Sequence, residues 1–116
     1  GLGKTVQTLT FLACLAEQRD IWGPFLVLAP TSTLHNWQRE CARFVPQFRV
    51  LPYWGPERHL LRKGWQKQRL QAAGRDSPFH ILLTNYNLAV NDKQYLAPYR
   101  WQYLVLDEAH AIKSSA

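Results

Sequence analysis

The chain has 116 residues, 47% of them apolar and 13% aromatic, with 14 Lys+Arg against 8 Asp+Glu for a formal charge of +6. That length is at most one domain, and that apolar content excludes a disordered chain. No apolar run approaches the ~18–20 residues of a membrane span, while the basic surplus suits a polyanionic partner provided the charge lies near something that uses it.

The chain holds no methionine and starts at Gly1. It is therefore read as a processed product or a segment of a longer reading frame. Its first cation stands in a glycine loop rather than ahead of an apolar stretch, so no signal peptide is expected. Thr5 to about Arg19 has helical spacing, with Val6, Leu9, Ala13 and Ala16 on one stripe and Leu12 and Leu15 widening it. Gly23-Pro24 closes that unit. Phe25 to Ala29 is apolar throughout, as in a strand covered on both faces, and Pro30 ends it. Thr31 or Ser32 can cap the next helix, whose Leu34, Trp37, Cys41 and Phe44 fall at i, i+3, i+7 and i+10. Cys14 and Cys41 both fall on apolar faces of predicted helices and read as reduced core residues of a cytosolic or nuclear protein.

Phe48 to Leu51 is a second short strand, followed by Pro52 and the Gly55-Pro56 turn. Glu57 to about Ala73 is a charged helix, stopped by Gly74 and Asp76-Ser77-Pro78. Phe79 to Leu83 is a third strand. Asn85 opens a short helical stretch towards Val90, and Tyr95 to Arg100 reads as a loop. Tyr103 to Leu106 is a fourth strand that runs straight into Asp107-Glu108. Strands separated by helices predict an α/β fold with a parallel sheet.

Two segments carry chemistry. Gly1-Leu2-Gly3-Lys4-Thr5 ends like a phosphate-binding loop, in which glycines let backbone N–H groups turn towards phosphate oxygens at a helix N-terminus. Lys4 would reach the β- and γ-phosphates of ATP, and the Thr5 hydroxyl would hold Mg²⁺. The alternative is a glycine turn that only caps a helix. An apolar strand ending in Asp107-Glu108 matches the acidic end of a Walker B strand. There Asp107 would bind Mg²⁺ through its water shell and Glu108 would orient or deprotonate the attacking water. The alternative is a strand followed by an acidic helix cap. In an open parallel sheet both segments belong at one carboxyl edge. His110 follows in Asp107-Glu108-Ala109-His110, and the four histidines show no ligand spacing with the cysteines.

The set resembles the first lobe of a SWI/SNF-type chromatin-remodelling ATPase of helicase superfamily two. Gly1-Leu2-Gly3-Lys4-Thr5-Val6-Gln7 is similar to motif I. Leu28-Ala29-Pro30-Thr31-Ser32-Thr33-Leu34-His35-Asn36-Trp37 is similar to motif Ia, Leu83-Thr84-Asn85-Tyr86 to motif Ib, and Asp107-Glu108-Ala109-His110-Ala111-Ile112-Lys113 to motif II, a DEAH box. Asp20-Ile21-Trp22-Gly23-Pro24-Phe25, Val50-Leu51-Pro52-Tyr53-Trp54-Gly55, Trp101-Gln102-Tyr103 and Ile112-Lys113-Ser114-Ser115 resemble the INO-eighty subgroup, which often carries Gln where this chain has His110.

The resemblance implies a partial RecA-like lobe and a nuclear, ATP- and Mg²⁺-using translocase. Its implied partners are double-stranded DNA, the nucleosome and a multi-subunit remodelling complex, with roles extending to DNA repair and no membrane partner. It gives catalytic roles to Lys4, Asp107, Glu108 and His110, the last linking the γ-phosphate to a neighbouring motif. It gives nucleotide contact to Gly1, Gly3, Lys4 and Thr5, and metal contact to Thr5 and Asp107. Pro30, Ser32, Thr84 and Asn85 would touch the DNA backbone, a contact that positions without reading bases; the alternative for Ser32 and Asn85 is helix capping alone, and the two roles can coincide because helix N-termini bind phosphates. The helix from Glu57 to Ala73, with Arg58, Arg62 and Arg69 on one side, is either a solvated face or a nucleic-acid-facing strip. Trp37, Trp54, Trp65 and Trp101 read as packing residues.

Residues 1–116 are thus expected to be a fragment of the N-terminal ATP-binding lobe, lacking the strand before Gly1, motif III and the second lobe with its arginine finger. Alone they are expected to be poorly folded, prone to aggregate at uncovered strand edges, and inactive. A small-substrate kinase with a phosphate loop and a non-catalytic DNA- or histone-binding relic are the other readings.

Overall fold

The computed structural model describes residues 2–56, 79–97 and 101–107. Helix α1 spans Leu2–Arg19 and strand β1 Phe25–Leu28. A 3-10 turn, Thr31–Thr33, leads into α2, Leu34–Phe44. Strands β2, Val50–Pro52, and β3, Ile81–Thr84, follow. Two short helices, α3 (Tyr86–Asn91) and α4 (Lys93–Leu96), precede β4, Tyr103–Leu106. The four strands form one parallel sheet in the order β2-β3-β1-β4. Among the described residues no helix is long and apolar enough to cross a membrane.

The alternating side chains of β1 and β3 explain why both strands are apolar throughout. Phe25, Val27 and Ala29, with Ile81 and Leu83, face a core built with Leu9, Leu12 and Ala16 of α1 and Leu34, Trp37 and Cys41 of α2. Leu26, Leu28 and Leu82 face the other way, against Tyr53, Phe79 and Leu96. A central parallel strand has no solvent side, so period-two alternation disappears from its sequence. Strand β4 differs: Tyr103, Leu104 and Leu106 are exposed, and among the described residues it pairs with β1 alone.

Several elements depart from the sequence reading. Helix α1 starts at Leu2, not Thr5, so Gly3-Lys4-Thr5 forms its first turn. Cys14 is exposed, because it lies two residues from both Leu12 and Ala16, and so on the side of the helix away from them. Phe44 is exposed too; the chain leaves the helix there, and Val45 turns into the core in its place. Neither Thr31 nor Ser32 caps α2 through its side chain. Instead Thr33 Oγ1 donates to Pro30 O at 3.0 Å. The second and third strands begin two residues later than Phe48 and Phe79, because both rings are buried ahead of the pairing. His80 Nδ1 there accepts from Arg49 N at 2.8 Å. Tyr95 and Leu96 belong to α4 rather than to a loop. The charged helix from Glu57 to Ala73, with Trp65, lies outside the described residues.

Cys41 is buried among apolar groups, and its thiol pKa is pushed up to about 12, first by that burial and then by the neighbouring Glu40 charge. The thiolate is therefore scarce at any ordinary pH, while Cys14 meets solvent. Maleimide at neutral pH is expected to label Cys14 of the folded protein and to reach Cys41 only after unfolding. Peptide mapping that finds both labelled at similar rates would contradict this packing.

Candidate functional site

Backbone hydrogen bonds carry the sheet past its regular ends. Asp107 N donates to Leu28 O at 2.9 Å, Ala29 N to Thr84 O at 3.0 Å, and Tyr53 N to Leu83 O at 2.8 Å. The residues that follow all four strands therefore collect at one carboxyl edge: Asp107, Pro30 to Thr33, Asn85, and Tyr53 with Trp54. In open α/β sheets this is the edge where ligands bind.

The first turn of α1 reaches the same edge. Its last residue, Arg19, leads within a few residues to the start of β1, so α1 runs against the strands. Phe11 packs edge-on against Tyr103, with ring centroids 5.1 Å apart. From Phe11 back to Lys4 a helix rises roughly 10 Å. From Tyr103 on to Asp107 a strand advances about 13 Å. Lys4 and Thr5 thus lie towards the end of the sheet at which Asp107 stands. Lys4 is exposed, Thr5 is buried at 7% exposure, and the first turn holds no acidic residue to oppose an anion. Asp107 is half-buried, and its Oδ2 accepts from Trp37 Nε1 at 3.5 Å, a long bond between residues far apart in sequence. Gly1, Glu108 and His110 lie outside the described residues.

The residues assigned to DNA contact separate into two kinds. Ser32 is exposed and Pro30 half-buried, both at the 3-10 turn. Asn85 is half-buried; its Oδ1 accepts from Leu88 N at 2.8 Å, so it caps α3, and its Nδ2 donates to Thr31 Oγ1 at 3.2 Å. Thr84 is otherwise. Its side chain is completely buried and its hydroxyl donates to Tyr53 O at 2.6 Å. The expected contact of that side chain with a DNA backbone is therefore corrected: the hydroxyl fastens β3 to the end of β2. Tyr53 is held in turn by its own hydroxyl, which donates to buried Asp92 at 2.6 Å.

Between these loops lies a cleft of about 380 Å³, lined by Thr31, Leu34, His35, Trp54, Gly55 and Asn85 among others. His35 and Trp54 stand edge-to-face across it, 5.6 Å apart. Sequence reasoning offered Thr31 only as a possible helix cap, assigned no role to His35, and read Trp54 and Trp37 as packing. Trp37, Trp54 and Trp101 do pack, being buried or half-buried. The polar partners of Thr31 and Trp37 come from distant strands, and no local pattern announces them.

A family model described as "SNF2-related domain" matches residues 1–116. The chain is 59% identical over 118 residues to the chromatin-remodeling ATPase INO80 of Cryptococcus neoformans, covering 100% of this chain and 7% of that protein. It is 57% identical over 117 residues to the INO80 ATPase of Debaryomyces hansenii, covering 99% of this chain and 8% of the relative. Among solved structures, the Sulfolobus solfataricus SWI2/SNF2 ATPase core domain superposes with a TM-score of 0.67 at 30% identity, covering 93% of this chain and 19% of that one. The chain thus spans less than a tenth of the length of these curated relatives.

Proposed function

The chain belongs to the SNF2-related family along its whole length, and on that premise we propose that it is part of the first lobe of a nuclear, ATP-driven, DNA-stimulated translocase that moves or edits nucleosomes. The observation that supports this reading is the antiparallel course of α1 against the sheet, with Phe11 on Tyr103, which directs its first turn towards the carboxyl edge where Asp107 stands. The identity to INO80 remodelling ATPases supports the subgroup and a role within a remodelling complex acting on chromatin.

In this reading the backbone N–H groups of Gly1 and Gly3 and the Lys4 ammonium hold the β- and γ-phosphates of ATP at the positive end of an 18-residue helix. The Thr5 hydroxyl and the Asp107 carboxylate fit Mg²⁺, a hard cation that takes few protein oxygens and shares the rest of its sphere with phosphate and water. Bound there, Mg²⁺ would neutralise charge developing on the phosphates. Glu108 orients or deprotonates the attacking water, and His110 relays the state of the γ-phosphate. Pro30, Ser32 and Asn85 meet the DNA backbone, now with Thr31, and Thr84 serves by holding β3 in place. An arginine from the second lobe completes the transition-state charge, worth about 10³–10⁵ in rate.

Hydrolysis of ATP by the complete protein, measured with and without duplex DNA, tests the reading; DNA is expected to raise turnover severalfold. Equal turnover in both conditions would point to another phosphate-loop enzyme. No turnover at all would point to a binding module.

A further inference from the structure

We propose that Trp37 is a positioning residue for Asp107, and that it couples the nucleic-acid-facing turn to the Mg²⁺-holding carboxylate. The inference rests on the reading of Asp107 given above. Trp37 is buried at 4% exposure, and a buried indole N–H needs an acceptor. Its acceptor is Asp107 Oδ2, at 3.5 Å. A ring packed for shape alone would not have to aim its one polar atom at that carboxylate. Partners of this kind orient a metal-holding group and fix which of its lone pairs are left for the ion.

Trp37 also has a defined mechanical position. It stands one turn into α2, which is entered directly from the Thr31–Thr33 turn. Thr33 is tied to Pro30 O by both its backbone N–H and its hydroxyl, and Thr31 is tied to Asn85. The Thr31–Thr33 turn is therefore continuous with the start of α2 and hydrogen-bonded to the loop that holds Asn85. Leu34 and Cys41, both buried, hold the helix against the core on either side of Trp37. A backbone phosphate drawn onto the exposed Ser32 would press on this turn. The indole is the group that carries the displacement to Asp107.

The test compares wild type with Trp37→Phe in the complete protein, which keeps a ring and removes the N–H. A second variant carries 3-benzothienylalanine at position 37, an isostere of tryptophan with sulfur in place of N–H; it stands in if the phenylalanine variant melts early. Binding of methylanthraniloyl-ADP is titrated with Mg²⁺, a readout independent of turnover. The Mg²⁺ needed for half-maximal binding is expected to rise about 10-fold, with nucleotide affinity in EDTA unchanged. The ratio of DNA-stimulated to basal turnover should fall, while duplex DNA affinity stays as in wild type. A folded variant with wild-type Mg²⁺ dependence and wild-type stimulation would overturn the proposal. A wild-type protein that DNA does not stimulate would instead sink the translocase reading, and the Mg²⁺ titration would still decide the Trp37–Asp107 link.

Discussion

Lys4→Ala in the complete protein is expected to lower ATP turnover by about 10²–10³-fold, the loss typical of removing one preorganised charge from a transition state. Lys4 is exposed on the first turn of α1 and contributes little to the core, so the thermal midpoint should stay within a degree or two of wild type. That pairing separates chemistry from folding. The buried residues of the same helix, Leu9, Leu12 and Ala16, could not make this distinction, because changes there open a cavity or overpack the core. Glu108→Gln is the companion experiment. It keeps the shape of the side chain and removes its basicity, so the variant should retain bound ATP with little hydrolysis. Turnover at the wild-type rate in either variant would remove the nucleotide site from this edge of the sheet.

Gly23→Ala is expected to destabilise the lobe by about 3–5 kcal/mol, at the upper end of what single substitutions do. Gly23 has φ +95, a conformation that costs a residue with a side chain about 1–3 kcal/mol. The added Cβ would also lie 2.6 Å from His80 O and 2.9 Å from Phe25 N. Those two atoms are partners, hydrogen-bonded at 2.7 Å where β3 and β1 begin to pair. The methyl would thus sit against the first rung of the central ladder, and neither backbone can retreat without opening it. A domain has only about 5–15 kcal/mol to lose. The variant should show a large fall in denaturant midpoint or fail to accumulate as soluble protein. A midpoint unchanged from wild type would mean that the backbone at Gly23 is not held as described.

The sequence was most legible where one local rule decides. Phe25 to Ala29 reads as a covered strand because it is apolar without alternation, and the strand forms over Phe25–Leu28; Asn85 reads as the opening of a helical stretch, and its side chain does accept from the backbone three residues on. Phe44 fell at the right spacing for the α2 stripe yet is exposed, since spacing gives a face and not where the core ends. Cys14 was placed inside by the apolar residues around it, although its own angular position puts it outside. At the site, motif order leads to the expectation that Lys4, Thr5 and Asp107 share one carboxyl edge, and Asp107 does follow β4 there. The Thr84–Tyr53 and Trp37–Asp107 bonds do not follow from motif order, because each joins segments that only the finished sheet brings together.

The strand order carries a consequence for how the protein is made. Strand β1 lies between β3 and β4, so Phe25 pairs with Ile81 on one side and Tyr103 on the other. Among the described residues both of its partner strands are distant in sequence. During translation Phe25–Leu28 leaves the ribosome with α1 and then waits, without either of its ladder partners, until both distant strands have been synthesised. Parallel sheets of this connectivity form slowly, because long loops must close before any ladder bond rewards them. The nascent chain is therefore most vulnerable before Tyr103–Leu106 emerges, and that interval is where a chaperone has most to protect.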